Sequence, residues 1–382
     1  IVHPVLLTGM KKVPDSVAIF ILTKDKLTVT KKLINFTEFD NLVKDYRDQL
    51  QDRKNTDYPL TSAKLYDILI RPVEDQIQTE SPTQLSIITS GKLRYIPFET
   101  LRDSQTGKYL IQKYPVNYLT RLSSRSWQIV ETRNFTSLQN VAFLQGIVVT
   151  LIIGSLAVWA RRKFGIVLSG VLVITLGGAI YFLLVGRNAH ILALGNPVPT
   201  PLNLPGTEAE VNSITKIFPG SETYIGTQAS LDTFKKQAPR FSFLHLATHG
   251  CFQRGGCPNL QMGENTLLFA NKQQYNIADA ALLGLKNTEL ITLSACQTAK
   301  EANANGEEIA GLAYIFERAG AKAVMASLWN AEDNATKEIM IQFYENIKKG
   351  MSKGEALRQA KLSQIDKDPF FWSPFVLIGD NR

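Results

Sequence analysis

Cysteine is scarce in this sequence, and its scarcity excludes one class of protein. The chain has three cysteines, Cys251, Cys257 and Cys296, in 382 residues. Small secreted domains that depend on disulfides are far richer in cysteine, so a disulfide framework is excluded and we expect unpaired thiols in a reducing compartment. The chain begins with Ile1 rather than Met, so we expect it to be a fragment of a longer protein, and no signal peptide is visible at its start.

Long runs of one charge are also missing, although the net charge is +8. The basic clusters are short and no aromatic side chains accompany them: Lys11-Lys12, Lys31-Lys32 and Arg161-Arg162-Lys163. A nucleic-acid partner is therefore not expected, and a generic basic surface is the simpler interpretation. The content of 45% hydrophobic and 20% charged residues is typical of a globular protein with a large core.

The first part of the chain, 1–140, has the pattern of an α/β structure. Short runs of β-branched and apolar residues predict strands at Val17–Leu22, Leu27–Thr30 and Leu85–Ile88. Apolar residues recur at helical spacing in two segments between these strands, 39–50 and 65–69.

The middle of the chain, 141–186, is strongly hydrophobic. Residues 141–160 contain one strongly polar side chain, Gln145, and residues 164–186 contain no charge across 23 positions. Each stretch is long enough to cross a ~30 Å hydrocarbon core at about 1.5 Å per residue. The sequence therefore predicts a transmembrane helical hairpin that contacts the lipid bilayer, with a pair of buried core helices as the alternative.

The orientation of this predicted hairpin is not fixed by positive charges. Three basic residues lie at its hinge and four arginines flank it: Arg121, Arg125, Arg133 and Arg187. Because the expected thiols are unpaired, we predict an integral membrane protein whose catalytic part lies on the cytoplasmic side.

The last part of the chain, 187–382, alternates strands with helices. Predicted strands are Ile191–Leu194, Phe241–Ala247, Leu290–Leu293 and Ala323–Leu328; predicted helices are Glu208–Phe218 and Ile309–Arg318, the second closed by Gly320. A capping box at Ser352 and Glu355 predicts one more helix. This alternation predicts an α/β fold with a mostly parallel sheet, covered by helices on both faces. Functional side chains are then expected where the strands end.

Two of these strand ends carry residues suited to nucleophilic catalysis. One predicted strand runs into His249 and Gly250, and the next runs into Cys296. An adjacent imidazole activates a thiol as a nucleophile, and the backbone N–H groups of Gly250 and Cys296 are suited to an oxyanion hole. The interval between His249 and Cys296 is 47 residues (296 − 249), comparable to about 50 in caspase-type proteases.

Ordered motifs along most of the chain resemble the CHAT family of caspase-like cysteine peptidase domains, which is related to separases. The matching segments are Leu93–Glu99 (LRYIPFE), Leu204–Glu210 (LPGTEAE), His245–Gly250 (HLATHG), Leu293–Thr298 (LSACQT), Gly311–Tyr314 (GLAY), Ser327–Trp329 (SLW) and Trp372–Phe375 (WSPF). The resemblance implies a caspase-like α/β/α sandwich with His249 and Cys296 as the catalytic dyad, and it implies no metal or organic cofactor. The hydrophobic stretch 141–186 departs from the family pattern and interrupts none of these motifs.

The remaining histidine and cysteine residues near His249 have simpler interpretations. His245 lies inside an apolar strand and is expected to be a buried, packed histidine. Cys251 and Cys257 flank a Gly-Gly pair and are expected to be loop thiols, with a redox pair as the alternative. A zinc site built from these residues and His249 is disfavoured, because a strand would direct one of the two histidines into the core.

The segment Leu328–Asp333 (LWNAED) resembles the separase segment whose last Asp contacts an arginine at the P1 position of the substrate. Asp333 matches that Asp, while Asn330 replaces an earlier one, and Glu332 is the second candidate. The resemblance therefore implies a basic P1 preference. Asp333 also suits the N-terminus of a helix, where the helix dipole stabilises an acidic side chain, and the sequence leaves both roles open.

The sequence thus predicts a membrane-anchored cysteine endopeptidase that acts on protein or peptide substrates and has a regulatory protein partner. The alternative is a signalling or scaffold module of CHAT type with little or no activity. A third hypothesis makes the hydrophobic hairpin itself the effector.

Overall fold

The computed structural model describes residues 1–9, 13–122, 190–252, 254–294, 307–329 and 333–382. The strands of these segments are β1 (Val2–Leu7), β2 (Ser16–Leu22), β3 (Leu27–Leu33), β4 (Leu85–Ile87), β5 (Val116–Tyr118), β6 (Ile191–Pro197), β7 (Glu222–Gly226), β8 (Phe243–Ala247), β9 (Gly250–Cys251), β10 (Thr266–Leu268), β11 (Gln274–Asn276), β12 (Leu290–Leu293), β13 (Ala323–Ser327) and β14 (Phe375–Gly379). The helices are α1 (Phe36–Gln51), α2 (Tyr58–Leu69), α3 (Glu74–Glu80), α4 (Leu110–Lys113), α5 (Pro205–Thr215), α6 (Leu231–Gln237), α7 (Glu307–Ala319), α8 (Asp333–Lys348), α9 (Lys353–Leu362) and α10 (Pro369–Trp372).

A large sheet organises these elements. Its strand order is β3-β2-β1-β4-β5-β14-β13-β12-β8-β6-β7. The pairs β1–β2, β2–β3 and β13–β14 are antiparallel and the other neighbours run parallel. The prediction of an α/β fold with a mostly parallel sheet is therefore confirmed. A small antiparallel sheet, β11-β10-β9, follows the end of β8.

The sheet joins the described residues on both sides of the 123–189 gap. β5 from the first part pairs with β14 near the end of the chain, with Tyr118 opposite Ile378. The Asn117 side chain donates a hydrogen bond to the Gly379 carbonyl oxygen over 2.9 Å. All described residues belong to one compact unit; a second unit, Glu131–Ala189, lies outside the described residues. The predicted boundaries at residues 140 and 187 also lie outside them and stay predictions.

The central strands are buried on both faces because helices cover the sheet on each side. Every residue of β8, β12 and β13 is buried. On one face, side chains of α5 and α8 reach the β8 side chain of His245. On the other face, Leu246 and Leu293 share a core cluster with Phe234 of α6 and Phe316 of α7. This arrangement matches the predicted helical layers on both sides of the sheet.

Helix ends in this half follow the predicted signals. The Ser352 side chain caps α9 by accepting a hydrogen bond from the Glu355 backbone N–H over 3.3 Å. Gly320 follows α7 with φ +114°, and a Cβ there would lie 2.8 Å from the Lys286 backbone nitrogen. Glycine is therefore needed at this helix terminus, because its φ is positive and because the backbone at Lys286 leaves no room for a Cβ.

The prediction of an integral membrane protein is wrong for the part of the chain that the structure describes. None of its helices is long and apolar enough to cross a bilayer. The longest, α1 and α8, have 16 residues and so measure about 24 Å, less than the ~30 Å of a hydrocarbon core. The stretches 141–160 and 164–186, on which the predicted hairpin and its lipid contact depended, lie outside the described residues.

Candidate active site

The carboxyl ends of β8 and β12 lie side by side, as the sequence predicts. The two strands pair in parallel, with Leu246 opposite Leu293, and the Ser294 backbone N–H donates to the Leu246 carbonyl oxygen over 3.0 Å. His249 stands three positions after Leu246 in the sequence, and Cys296 stands three positions after Leu293. The two described strands that His249 and Cys296 follow in the sequence therefore end side by side at one edge of the sheet.

His249 is held in a defined orientation beyond the end of β8. Its side chain is buried, with 3% of the residue exposed, and its Nε2 donates a hydrogen bond to the Leu202 carbonyl oxygen over 2.7 Å. Since a carbonyl oxygen only accepts, Nε2 carries a proton and Nδ1 is the unprotonated nitrogen of the neutral ring. Burial lowers the pKa of His249, and the hydrogen bond to Leu202 opposes this effect. Nδ1 is therefore the nitrogen of the neutral ring that can accept a proton.

The loop that supplies the Leu202 carbonyl is fastened to α5 through Asn196. The Asn196 side chain accepts a hydrogen bond from the Leu204 backbone N–H and donates one to Glu208, both over 2.7 Å. Asn196 has φ +42°, a left-handed conformation that Asn tolerates better than most residues. The Thr207 side chain closes the first turn of α5 by donating to the Leu204 carbonyl oxygen over 2.7 Å. Residues of the LPGTEAE motif thereby hold the loop that contains Leu202, the hydrogen-bond partner of His249.

The small sheet holds the chain on the other side of His249. The Leu268 backbone N–H donates to the His249 carbonyl oxygen over 2.9 Å, and the Thr248 hydroxyl donates to the Leu268 carbonyl oxygen. Gly250 pairs with Leu267 in the antiparallel ladder. In an antiparallel ladder, hydrogen-bonded and non-hydrogen-bonded pairs alternate. Because Leu268 donates to His249, the next pair, Gly250 and Leu267, is a non-hydrogen-bonded pair. The Gly250 N–H therefore makes no hydrogen bond to β10.

A buried polar network lies behind the two strand ends. His245 is fully buried, as predicted, and its Nε2 donates to Oε1 of Glu210 over 2.9 Å. The Ser294 hydroxyl donates to the same oxygen over 2.6 Å. His245 Nδ1 lies 3.2 Å from the Tyr344 hydroxyl, which lies 3.0 Å from the Thr292 hydroxyl. Glu210 thus joins α5 to both β8 and β12.

Sequence reasoning assigned no role to Leu202, Glu210 or Tyr344. The partners of His245 are 35 and 99 residues away in the sequence, beyond the reach of local patterns. One signal pointed to Glu210, because it lies next to the apolar face of α5 that contains Val211 and Ile214. A carboxylate at such a position requires a buried partner.

The cysteines near His249 are not free thiols. Cys251 and Cys257 form a disulfide, so the expectation of unpaired loop thiols is wrong for these two residues. Gly255 and Gly256 both have φ +86°, and this left-handed turn brings Cys257 back towards β9. A zinc site at this position is ruled out as well, because both sulfurs are bonded and His245 is bound to Glu210 inside the core. No group of three metal-ligating side chains occurs among the residues that the structure describes.

Three of the predicted site residues are not placed by the structure. Cys296 and Glu332 lie outside the described residues, and Asp333 is described only as the first residue of α8, without its side chain. The roles of Cys296 as nucleophile and of Asp333 or Glu332 in substrate binding stay predictions. His249 and Gly250, in contrast, lie at the predicted strand end.

Comparison with known proteins gives distant relatives. The chain is 20% identical to tetratricopeptide repeat protein 28 of Mus musculus over 386 aligned positions, which cover 88% of this chain and 14% of that protein. The human protein of the same name is also 20% identical, over 83% of this chain and 13% of its own length. The chain therefore spans about one seventh of these relatives.

Two solved structures align with most of the chain. Gingipain R (RgpB of Porphyromonas gingivalis), an arginine-specific cysteine proteinase, aligns with a TM-score of 0.43 and 10% identity over 90% of this chain and 75% of its own. The Saccharomyces cerevisiae separase–securin complex aligns with a TM-score of 0.42 and 12% identity over 93% of this chain and 21% of its own.

A family assignment follows from the sequence profile of the CHAT domain, which matches residues 60–380. The matched range contains His249 with its Leu202 partner, the polar network of Glu210, and the sheet from β4 to β14. The chain belongs to the CHAT domain family.

Proposed function

We propose that this chain is a caspase-like cysteine endopeptidase in which Cys296 is the nucleophile and His249 is the base. The observation that carries this proposal is the parallel pairing of β8 with β12, with Leu246 opposite Leu293. It sets the segment of His249 beside the segment that continues, two residues after Ser294, to Cys296.

The first half of the reaction uses the unprotonated Nδ1 of His249. Nδ1 takes the proton of the Cys296 thiol, and the sulfur attacks the carbonyl carbon of the scissile peptide bond. The negative charge that develops on the carbonyl oxygen is stabilised by the backbone N–H groups of Gly250 and Cys296, each worth about 3 kcal/mol in such sites. The imidazolium then gives its proton to the leaving amine, and a thioester remains on Cys296.

The second half of the reaction releases the acyl product. His249 takes a proton from a water molecule, whose oxygen attacks the thioester carbonyl carbon, and the thiol is re-formed with that proton. The hydrogen bond from Nε2 to Leu202 keeps the ring in one orientation through both halves, so that only Nδ1 gains and loses a proton. No metal or organic group takes part in these steps.

The substrate is a protein or peptide, and the site favours a basic residue at P1 through Asp333, with Glu332 as the second acidic candidate. A carboxylate suits a guanidinium because the two groups form paired, charge-assisted hydrogen bonds. A regulatory protein partner, which the sequence predicts, is also part of the proposal.

The test is cleavage of a peptide library by the wild type and by the Cys296→Ala and His249→Ala variants. We expect Cys296→Ala to abolish cleavage and His249→Ala to lower kcat by about 10²–10⁴-fold, the range typical of a lost general base. His190→Ala is the matched control, because His190 also contacts a backbone carbonyl oxygen, that of Pro219, at the opposite end of the central strands.

Two results would contradict the proposal. Equal cleavage by the wild type and Cys296→Ala would show that this thiol is not the nucleophile. Absence of cleavage by folded wild type, with no labelling of Cys296 by an arginyl acyloxymethyl ketone, would favour a scaffold role for the domain.

A further inference from the structure

Glu210 bonds to His245 of β8 and to Ser294, the residue that follows β12. Its Oε1 accepts hydrogen bonds from His245 Nε2 over 2.9 Å and from the Ser294 hydroxyl over 2.6 Å. His245 precedes His249 by four residues, and Ser294 precedes Cys296 by two. One carboxylate oxygen therefore ties β8 and β12 together immediately behind their functional ends.

The network around this carboxylate continues through His245 to two hydroxyl groups. His245 Nε2 donates to Glu210, and its Nδ1 lies within hydrogen-bond distance, 3.2 Å, of the Tyr344 hydroxyl. The Tyr344 hydroxyl lies 3.0 Å from the Thr292 hydroxyl. Burial raises the pKa of Tyr344, which keeps its hydroxyl protonated and available as a donor.

Such a network restricts how the strands can move relative to each other. Glu210 is 3% exposed, and His245 and Thr292 are fully buried, so bulk water has little access to these groups. A buried polar group without a partner is costly, which disfavours any shift that separates these groups. A sliding motion of β12 past β8 would break the bond of Ser294 or that of His245.

The same helix also positions the partner of His249. Glu208 of α5 accepts a hydrogen bond from Asn196, whose own side chain oxygen holds the Leu204 backbone. The Leu202 carbonyl oxygen that bonds to His249 belongs to this loop. α5 therefore acts on the site in two ways. Glu208 holds the loop whose Leu202 carbonyl oxygen binds His249, and Glu210 binds His245 and Ser294.

We propose that Glu210 is a positioning residue that sets the separation and register of the His249 and Cys296 segments. The inference rests on the proposed function, because it concerns the geometry of that dyad. Since displacement of reacting groups by 1 Å can cost about 10²-fold in rate, the loss of Glu210 should affect kcat rather than KM.

The test compares Glu210→Ala, Glu210→Gln and Ser294→Ala in the full chain. A glutamine oxygen can still accept from both His245 and Ser294, whereas alanine removes both bonds. Glu74→Ala is the matched control, since Glu74 is also mostly buried and accepts hydrogen bonds from Tyr66 and Lys113 in the N-terminal half. Thermal unfolding of each variant reports whether it is folded.

Two readouts follow the geometry of the dyad. The first is kcat and KM for a peptide that the wild type cleaves. The second is the rate at which iodoacetamide alkylates Cys296 without reductant, with the site verified by peptide mass mapping. The disulfide of Cys251 and Cys257 leaves Cys296 as the remaining thiol of the three in the sequence.

We expect Glu210→Ala to lower kcat by about 10²-fold with KM unchanged, and to slow alkylation towards the rate of His249→Ala. Glu210→Gln and Glu74→Ala should stay close to the wild type in both readouts. If Glu210→Ala does not fold, Ser294→Ala carries the test with a smaller loss in the same direction.

The inference would be overturned if Glu210→Ala kept the wild-type kcat and the wild-type rate of alkylation. If Glu210→Ala does not fold, the same result in Ser294→Ala would overturn it. So would an equal loss in Glu210→Gln and Glu210→Ala, because the charge rather than the pair of bonds would then matter. Failure of the proposed function has a different signature: the wild type then neither cleaves nor reacts with iodoacetamide faster than His249→Ala.

Discussion

His249 and Leu202 are joined by a hydrogen bond from the imidazole Nε2 to the backbone carbonyl oxygen over 2.7 Å. The two residues lie 47 positions apart, in the segment after β8 and in the loop before α5. A backbone carbonyl cannot change its protonation state, so this contact holds one tautomer of His249 at any pH at which the ring is neutral.

The first prediction concerns the pKa of His249. Because burial disfavours the charged ring, NMR titration of Cys296→Ala should give His249 a pKa below the ordinary value of about 6.5. Removing the thiol separates this effect from any ion pair with a thiolate. Signals are assigned with the additional substitution His249→Ala, and a pKa at or above about 6.5 would contradict the prediction.

This pKa also fixes the sign of the stability change. Above about pH 6.5 the ring is neutral in both the folded and the unfolded chain, so His249 adds no pH dependence. As the pH falls below that value, the unfolded chain takes up the proton first, and stability decreases until the folded pKa has been passed. Urea unfolding should show a weaker decrease in His249→Ala than in the wild type.

The second prediction concerns the disulfide of Cys251 and Cys257, which closes a short loop directly after His249 and Gly250. Replacing both cysteines with alanine should lower the free energy of unfolding by about 2 kcal/mol, since so short a loop restricts the unfolded chain only modestly. Urea unfolding measures the change, and Cys296→Ala controls for the loss of a cysteine as such. An unchanged unfolding midpoint in the double variant would contradict the prediction.

The third prediction concerns Asp333, the first residue of α8. If its carboxylate binds a P1 arginine, Asp333→Asn should lower kcat/KM after arginine by about 10–100-fold, the equivalent of a lost charge-assisted hydrogen bond, and spare cleavage after other residues. Glu332→Gln is the matched comparison. A lower unfolding temperature with an unchanged P1 preference would instead assign Asp333 to the helix terminus.

The fourth prediction concerns the buried ion pair of Lys361 and Glu99, whose side chains lie 2.6 Å apart and are 1% and 3% exposed. Lys361→Met leaves the Glu99 carboxylate without its countercharge and should cost about 3–5 kcal/mol of unfolding free energy. Lys367→Met removes the exposed pair with Glu338 and should cost less than about 1 kcal/mol. Equal urea midpoints for the two variants would contradict the prediction.

Local patterns were sufficient for the strands that carry the site. The predicted strand Leu290–Leu293 coincides with β12, and Phe241–Ala247 contains β8 (Phe243–Ala247). Fully buried parallel strands are continuous apolar runs, and such runs are visible in a single sequence. The strands β5 and β14 were not predicted; β5 has only three residues, too few to show a pattern.

The disulfide of Cys251 and Cys257 was not predicted, because the low cysteine content led us to expect unpaired thiols. Three cysteines in a long chain argue against a disulfide framework, but they do not decide whether two nearby cysteines meet. Cys251 and Cys257 meet because the turn at Gly255 and Gly256 reverses the chain. The membrane prediction relied on residues outside the described structure, and no described helix supports it.

The sequence by itself determined the α/β class, the mostly parallel sheet, the strand end with His249 and the CHAT motifs, because periodicity and short motifs are local properties of the chain. Only the tertiary structure decided which groups hold the site. The Leu202 carbonyl orients His249, and Glu210 joins His245 to Ser294. These contacts link residues far apart in the chain, and burial makes each polar group find a partner that no local pattern specifies.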